Sequence, residues 1–362
     1  MSKNLNQYQP PVAFHPGETL AEKLAELGMG PKEFALRSCK PEKTVIAVMN
    51  GDSSITPEMA VQFERVLQIP AHFWLAAQST FDEYVAREKQ KVLVTRSAGW
   101  LRSFPIGDMI KKGWLPACSS VQEKTEALLS FFSINGHEAW NDYYINQELK
   151  VAFRISLRHT KDPYAISAWL CRGDIQAAEL ETRDYDEKAF KEALHKVKRI
   201  MAQHPEDFFQ QLQTLCLKAG VKVVHTPCIS KAPINGCARW IRSTPLIQMS
   251  GRYKRNDIFW FTFFHEAGHI LLHGKKDVFL EGVNSDRDES KESEADDFAV
   301  KWTFPHEAER ELLALSIIRE ADIHEFAKRF NTHPAIIIGR LHHVKRLKHS
   351  FGREFIQTVE LD

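Results

Sequence analysis

Across the first ninety or so residues, apolar positions recur at helical spacing. In HPGETLAEKLAELGMG, Leu20, Leu24 and Leu27 share one face, and Gly28 and Gly30 supply a stop. The stretch PKEFALRSCKPEKTVIAVMNGDSSITPEMAVQFERVLQIPAHFWLAAQSTFDEYVA predicts four more short helices, with Pro31, Pro41 and Pro57 near their starts and Asn50-Gly51 as a turn. Five short helices in so little chain make an all-α bundle with Phe34, Ala35, Val45, Ile46, Val48 and Met49 in its core. The break SCKPE between the second and third helices has the layout of a helix-turn-helix. The third helix, about Glu42 to Asn50, then offers its first turn to a DNA major groove.

Beyond a charged stretch and a boundary near residues 88 to 97, SVQEKTEALLSFFSI, DPYAISAWLCRGDIQAAEL, DEKAFKEALHKVKRIMAQH and EDFFQQLQTLCLKAG each carry helical periodicity. His137, His159, His195 and His204 stand singly there, without ligand spacing, and the region reads as helical and structural. The pattern then changes to β-branched and alternating in GVKVVHTPCI, CARWIRS and PLIQMS, which predict three strands. PLIQMS is expected to offer an edge to an extended peptide. A strongly apolar helix follows, IFWFTFFHEAGHILLH, capped by Asn256 or Asp257 and stopped by Gly274. The order implies an α+β unit at the C-terminus.

Composition narrows the function classes. The 362 residues hold 48 Lys and Arg against 47 Asp and Glu, so any nucleic-acid contact must be local. Residues 1–87 carry 8 basic and 10 acidic side chains, yet Lys32, Arg37, Lys40 and Lys43 outnumber Glu33 and Glu42 between Pro31 and Gly51. Lys40, Glu42, Lys43 and Thr44 are therefore the expected DNA contacts, the lysines to phosphate and Glu42 to a cytosine amine. The six cysteines form no C-x-x-C pair, and no signal core or membrane-length apolar run is present, which points to a reducing, cytoplasmic setting without a membrane. The basic tail HHVKRLKHSFGREF reads as a solvated helix end.

The sharpest chemical signal is HEAGH at residues 265–269. Residues four apart on a helix project to one side, so His265 and His269 can reach one ion, with Glu266 beside them as a general base. Buried in an apolar helix, this trio needs partners for its polar atoms, which makes a purely structural role costly. A third histidine six residues after the second would fall at 275, but that position is Lys275, which excludes the metzincin arrangement. His273 lies a further turn along, too far to join the same tetrahedral ion, and is expected to pack or to support a ligand. A carboxylate from ESKESEADDFAVKWTFP is the other solution; Glu292 and Asp296 share one face of that helix, while Ala295, Phe298, Ala299 and Trp302 form its packed face.

Two resemblances add to this. HPGETLAEKL, MNGDSSIT and AVQFERVLQIPAHFWLAAQSTFD are similar to the HigA-type branch of the lambda-repressor-like helix-turn-helix proteins, over about residues 13–86. That family includes toxin–antitoxin antitoxins, which implies operator DNA and a cognate toxin as partners. The combination of FWFTFFHEAGHILLHGKK, ESEADDFA and Pro305 resembles the ImmA/IrrE family of zinc-dependent metallopeptidases, over about residues 220–345. It implies a zincin-like fold, Zn²⁺ as cofactor, His265 and His269 as zinc ligands, Glu266 as the catalytic glutamate and Glu292 as the third ligand, with Glu294 as the alternative. It also implies a protein substrate such as a transcriptional repressor.

The expected protein is multi-domain: an all-α helix-turn-helix bundle at 1–88, a helical middle at 89–219 and an α+β zincin-like peptidase domain at 220–362. It acts as a cytoplasmic DNA-binding regulator, a homodimer, fused to a zinc endopeptidase in which Tyr253 stabilises the oxyanion. Two other classes stay open: a non-enzymatic antitoxin that binds a toxin and its own operator, and a metal- or ligand-sensing repressor with a non-catalytic zinc fold.

Overall fold

HPG at residues 15–17 opens the first helix. The buried His15 caps it by accepting from the Gly17 amide through Nδ1 at 3.0 Å, and Pro16 takes the first helical position. A Cβ at Gly17 would collide with the Val48 carbonyl oxygen, so the glycine is what lets two helices meet here. In this computed structural model, which describes residues 13–146, 162–274, 279–280 and 289–361, the chain forms two units, Met1–Arg96 and Ser97–Asp362.

The first unit contains α1 (Pro16–Glu26), α2 (Pro31–Arg37), α3 (Glu42–Met49), α4 (Pro57–Leu67) and all but the last residue of α5 (Ala71–Ser97). Leu20, Leu24, Phe34, Val45, Val48, Phe63 and Trp74 make its core. Two expectations fail here. Ile46 is 40% exposed, because α3 turns only Val45 and Val48 fully inward, and Met49 is only partly buried. The fifth helix is also long: no glycine or proline interrupts residues 71–97, and the exposed pairs Glu83–Arg87 and Glu88–Lys91 support its outer turns. Residue 88 lies inside it.

The second unit begins with α6 (Ile106–Lys111), α7 (Val121–Phe131) and α8 (His137–Trp140), and α7 starts with a Ser120/Glu123 capping box. It continues with α9 (Pro163–Ala178), α10 (Glu187–Gln203) and α11 (Phe208–Leu217) before the strands β1 (Lys222–His225), β2 (Gly236–Ile241) and β3 (Thr244–Met249). These helices belong to the same unit as the strands that follow. His159 lies outside the described residues, as do Lys275 and residues 281–288.

A two-residue β4 (Phe279–Leu280) completes a sheet of order β1-β3-β2-β4. β3 pairs parallel with β1 and antiparallel with β2, so PLIQMS is an inner strand; both its sides are taken, and it cannot receive a peptide as an edge. α12 (Asn256–Leu272) packs on the sheet, burying Trp260, Phe263, Phe264 and Ala267 among Val223, Ala238 and Ile247. Neither Asn256 nor Asp257 caps it. Arg255 holds the cap position, and the buried Asn256 Oδ1 instead accepts from the Asp257 and Gln357 amides. α13 (Glu289–Thr303), α14 (His306–Leu313), α15 (Glu320–Phe330) and α16 (Pro334–His343) follow. Gly268 brings α13 against α12, since a Cβ there would stand 3.2 Å from the Phe298 ring.

His204 ends α10 in a left-handed conformation (φ 44°) and accepts from the Trp260 indole through Nδ1 at 3.1 Å. Burial, and then the neighbouring His333, push its pKa down to about 4 from an ordinary 6.5. Between those values the unfolded chain takes up a proton that the folded chain refuses, so this residue costs stability as pH falls from about 6.5 to about 4. In urea titrations across that range, His204→Asn, which tolerates the left-handed backbone, is expected to show a weaker pH dependence than the wild type; identical slopes would refute this assignment.

Candidate metal centre

Helix α12 is apolar around most of its circumference because it lies between the sheet and α13, and this burial extends to the motif. His265 is 3%, Glu266 0% and His269 2% exposed. Nε2 of His265 and Nε2 of His269 are 3.0 Å apart. From the facing helix α13, Glu292 places Oε2 3.5 Å from His265 Nε2 and Oε1 4.0 Å from His269 Nε2.

The outer nitrogens decide what the inner ones present. His265 Nδ1 is 2.8 Å from Asp296 Oδ1, so the ring donates there and Nε2 carries a lone pair. His273 Nε2 donates to Glu294 Oε2 at 3.3 Å, which leaves its Nδ1 as an acceptor; His269 donates to that atom at 2.9 Å, and its own Nε2 also carries a lone pair. Two lone pairs and a carboxylate therefore converge in a buried space, an arrangement that a cation satisfies. Around a tetrahedral ion with bonds of about 2 Å, neighbouring donors stand about 3.3 Å apart, and the spacings here lie close to that. Among the described residues, His265, His269 and Glu292 form the one group of three such side chains whose ligand atoms all lie within 4.8 Å of each other. Two nitrogens and one carboxylate oxygen suit zinc by donor type.

Glu266 sits beside this group with its side chain against β2. A Cβ at Gly236 would stand 2.7 Å from Glu266 Oε1 and 2.6 Å from Thr262 Cγ2, so the strand's glycine makes room for the carboxylate. Glu294, the alternative third ligand, is instead engaged with His273. Tyr253 is half exposed in the turn before α12, with the Arg252 guanidinium 4.9 Å over its ring. Residue types alone missed two supports: the tautomer-setting role of Asp296 and the space left by Gly236. The four-residue step from Glu292 to Asp296 was the signal for the first; nothing in the sequence around Gly236 marks the second.

In the first unit, α2 and α3 are joined by Ser38–Pro41, with Cys39 in the left-handed region (φ 53°) and the Ser38 hydroxyl donating to the Phe34 carbonyl at 2.7 Å. Glu42 and Lys43 are exposed on the first turn of α3, and Thr44 is half-buried. Lys40 is tied to Glu58 at 2.7 Å and Arg37 to Glu33 at 2.6 Å, so two of the four local cations are already paired.

Comparison with known proteins gives two findings. The IrrE N-terminal-like domain family, peptidase M78, matches residues 216–342. Among solved structures, the Pseudomonas aeruginosa antitoxin HigA with the higBA promoter is 30% identical, covering 22% of this chain and 90% of that one, with a TM-score of 0.21. A HigA-family addiction module antidote protein from Coxiella burnetii is 28% identical, covering 30% and 97% with a TM-score of 0.21. A Pseudomonas aeruginosa structure in complex with its operator DNA is 29% identical, covering 21% and 82% with a TM-score of 0.20. No curated protein matches. Among the described residues, no helix is long and apolar enough to cross a membrane. The chain thus joins similarity to HigA-family antidote proteins with a match, over residues 216–342, to the IrrE N-terminal-like domain family.

Proposed function

We propose that this chain is a DNA-binding regulator fused to a zinc-dependent endopeptidase that cleaves a regulatory protein. The observation that carries the peptidase half is the convergence of His265 Nε2, His269 Nε2 and Glu292 beside the buried Glu266. His265, His269 and Glu292 would hold the zinc, leaving a position for water and substrate. When bound, zinc supplies Lewis-acid activation of water and of a carbonyl group. Asp296 and the His273–Glu294 pair keep both imidazoles in the liganding tautomer. Glu266 accepts the proton of the attacking water and passes it to the leaving amine as the C–N bond breaks, so it ends the cycle ionised as it began. Enclosure of the carboxylate between α12 and β2 keeps it poised for that exchange.

The DNA-binding half rests on the α2-turn-α3 geometry and the exposed first turn of α3. Lys43 is the phosphate contact in this reading, Glu42 and Thr44 meet base edges, and Lys40 contributes only by exchanging Glu58 for a phosphate. Operator DNA, a repressor-like protein substrate, a cognate toxin and a second copy of the chain are the partners of this reading, and the cytoplasm its setting. Tyr253, half exposed in the turn before α12, is given no step in this reading.

Natively purified protein is expected to carry about one zinc per chain, lost in Glu292→Ala. Glu266→Gln should keep the metal yet abolish cleavage; full biological activity in that variant would favour a non-enzymatic antitoxin. Asp296→Ala should weaken zinc binding about 10–100-fold in chelator competition, and an unchanged affinity would remove Asp296 from the support of His265. For DNA, Lys43→Ala should lower affinity for a duplex carrying the chain's own promoter region and reduce the salt slope by about one; absence of salt-dependent binding in the wild type would end the DNA-binding reading.

A further inference from the structure

Where α7 ends against α9, a cleft of about 480 Å³ opens on the second unit. That volume lies within the roughly 300–1,000 Å³ of small-molecule sites. Trp114 and Leu115, from the segment after α6, line it together with Phe131 and Ile175, and the Trp114 and Phe131 rings lie parallel within 3°, with centroids 6.4 Å apart. Ser130 and Ser133 bring hydroxyls to it. None of His265, Glu266, His269 and Glu292 lines it.

Arg172, on α9, is the one charged residue in the lining. It is partly buried. Its Nε is enclosed without a hydrogen-bond partner among the described residues, and no hydrogen bond or ion pair there engages the Nη nitrogens, which keep accessible surface. The usual acceptors are present but occupied. Asp174 is the one carboxylate on α9, and Arg239 from β2 donates to its Oδ1 through Nε at 3.3 Å and Nη2 at 3.0 Å. An arginine near a helix C-terminus ordinarily donates to the last carbonyls. Those of α7 are taken: Leu128, Leu129 and Ser130 accept from the Phe132, Ile134 and Ser133 amides, and Phe131 from the Cys171 thiol at 3.4 Å. A partly enclosed cation without an acceptor is costly, and a ligand that brings a negative charge removes that cost.

We infer that this cleft binds a small organic monocarboxylate with a flat apolar body, its carboxylate accepting from the Arg172 Nη nitrogens and its body lying against Trp114 and Phe131. One cation without a second basic residue balances a single negative charge, which favours a carboxylate over a phosphate dianion. The site gives the helical part of the second unit a ligand of its own, and it stands whether or not the chain cuts a peptide bond.

The test is titration calorimetry on the full-length chain with 2-naphthoate and with 2-naphthamide, which keeps the rings and lacks the charge. The naphthoate is expected to bind saturably and at least about ten-fold tighter, as a charge-assisted pair implies. In Arg172→Met that ratio should fall toward one. Carboxylates also ligate zinc, so the same titration is made on Glu292→Ala, where the ratio should persist; its loss there places the anion at the metal centre and overturns the cleft. Absence of saturable naphthoate binding, equal affinities in the wild type, or a ratio unchanged in Arg172→Met overturns it as well. Should Arg172→Met not fold, Ser130→Trp, at an exposed position of α7, fills the cleft and should weaken naphthoate binding at least about ten-fold, and unchanged binding is then the overturning result.

Discussion

Everything in the C-terminal unit that bears on chemistry depends on two imidazole nitrogens facing each other at 3.0 Å with lone pairs on both. Such a meeting is unfavourable unless something holds each ring and something positive is able to sit between them. Asp296 holds one ring from outside, and the His273–Glu294 pair holds the other. Both supports come from the close approach of α13 to α12, which Gly268 permits under Phe298. Glu292, on the same face of α13 as Asp296, brings the negative charge that completes the set.

Much of this was legible in the residues. The HEAGH spacing fixes which side of a helix the histidines share, and the four-residue step from Glu292 to Asp296 fixes that both carboxylates face one way. The helices of the first unit could be placed from prolines and apolar spacing, because those signals are local. What could not be read is whatever depends on contacts distant in sequence. The inner position of PLIQMS is set by its parallel pairing with β1, some twenty residues earlier, and no periodicity within the strand distinguishes an inner from an edge strand. Ile46 looks like core by type, yet a short helix turns only part of its surface inward. Lys40 looks like a phosphate contact until Glu58, on another helix, is seen to hold it.

The two units use their polar groups differently. In the first, the exposed charges pair across single turns or between neighbouring helices, at the surface, where such pairs contribute little and exchange readily for other partners. In the second, buried imidazoles are held by chains of polar groups whose outer carboxylates reach the surface. Glu309, only 5% exposed, holds Arg340 through two hydrogen bonds in the same manner, fixing α14 to α16. The surface pairs can exchange partners, whereas the buried bonds hold their helices in place.

Because the carboxylates that anchor both imidazoles, Asp296 and Glu294, are more than half exposed while the nitrogens they govern are dry, the ligand cage is set when the helices dock. Both rings are thereby held with Nε2 turned toward Glu292 by contacts within the protein itself. On the proposed reading, selectivity among divalent ions rests on which one fits donors that the protein already holds in place.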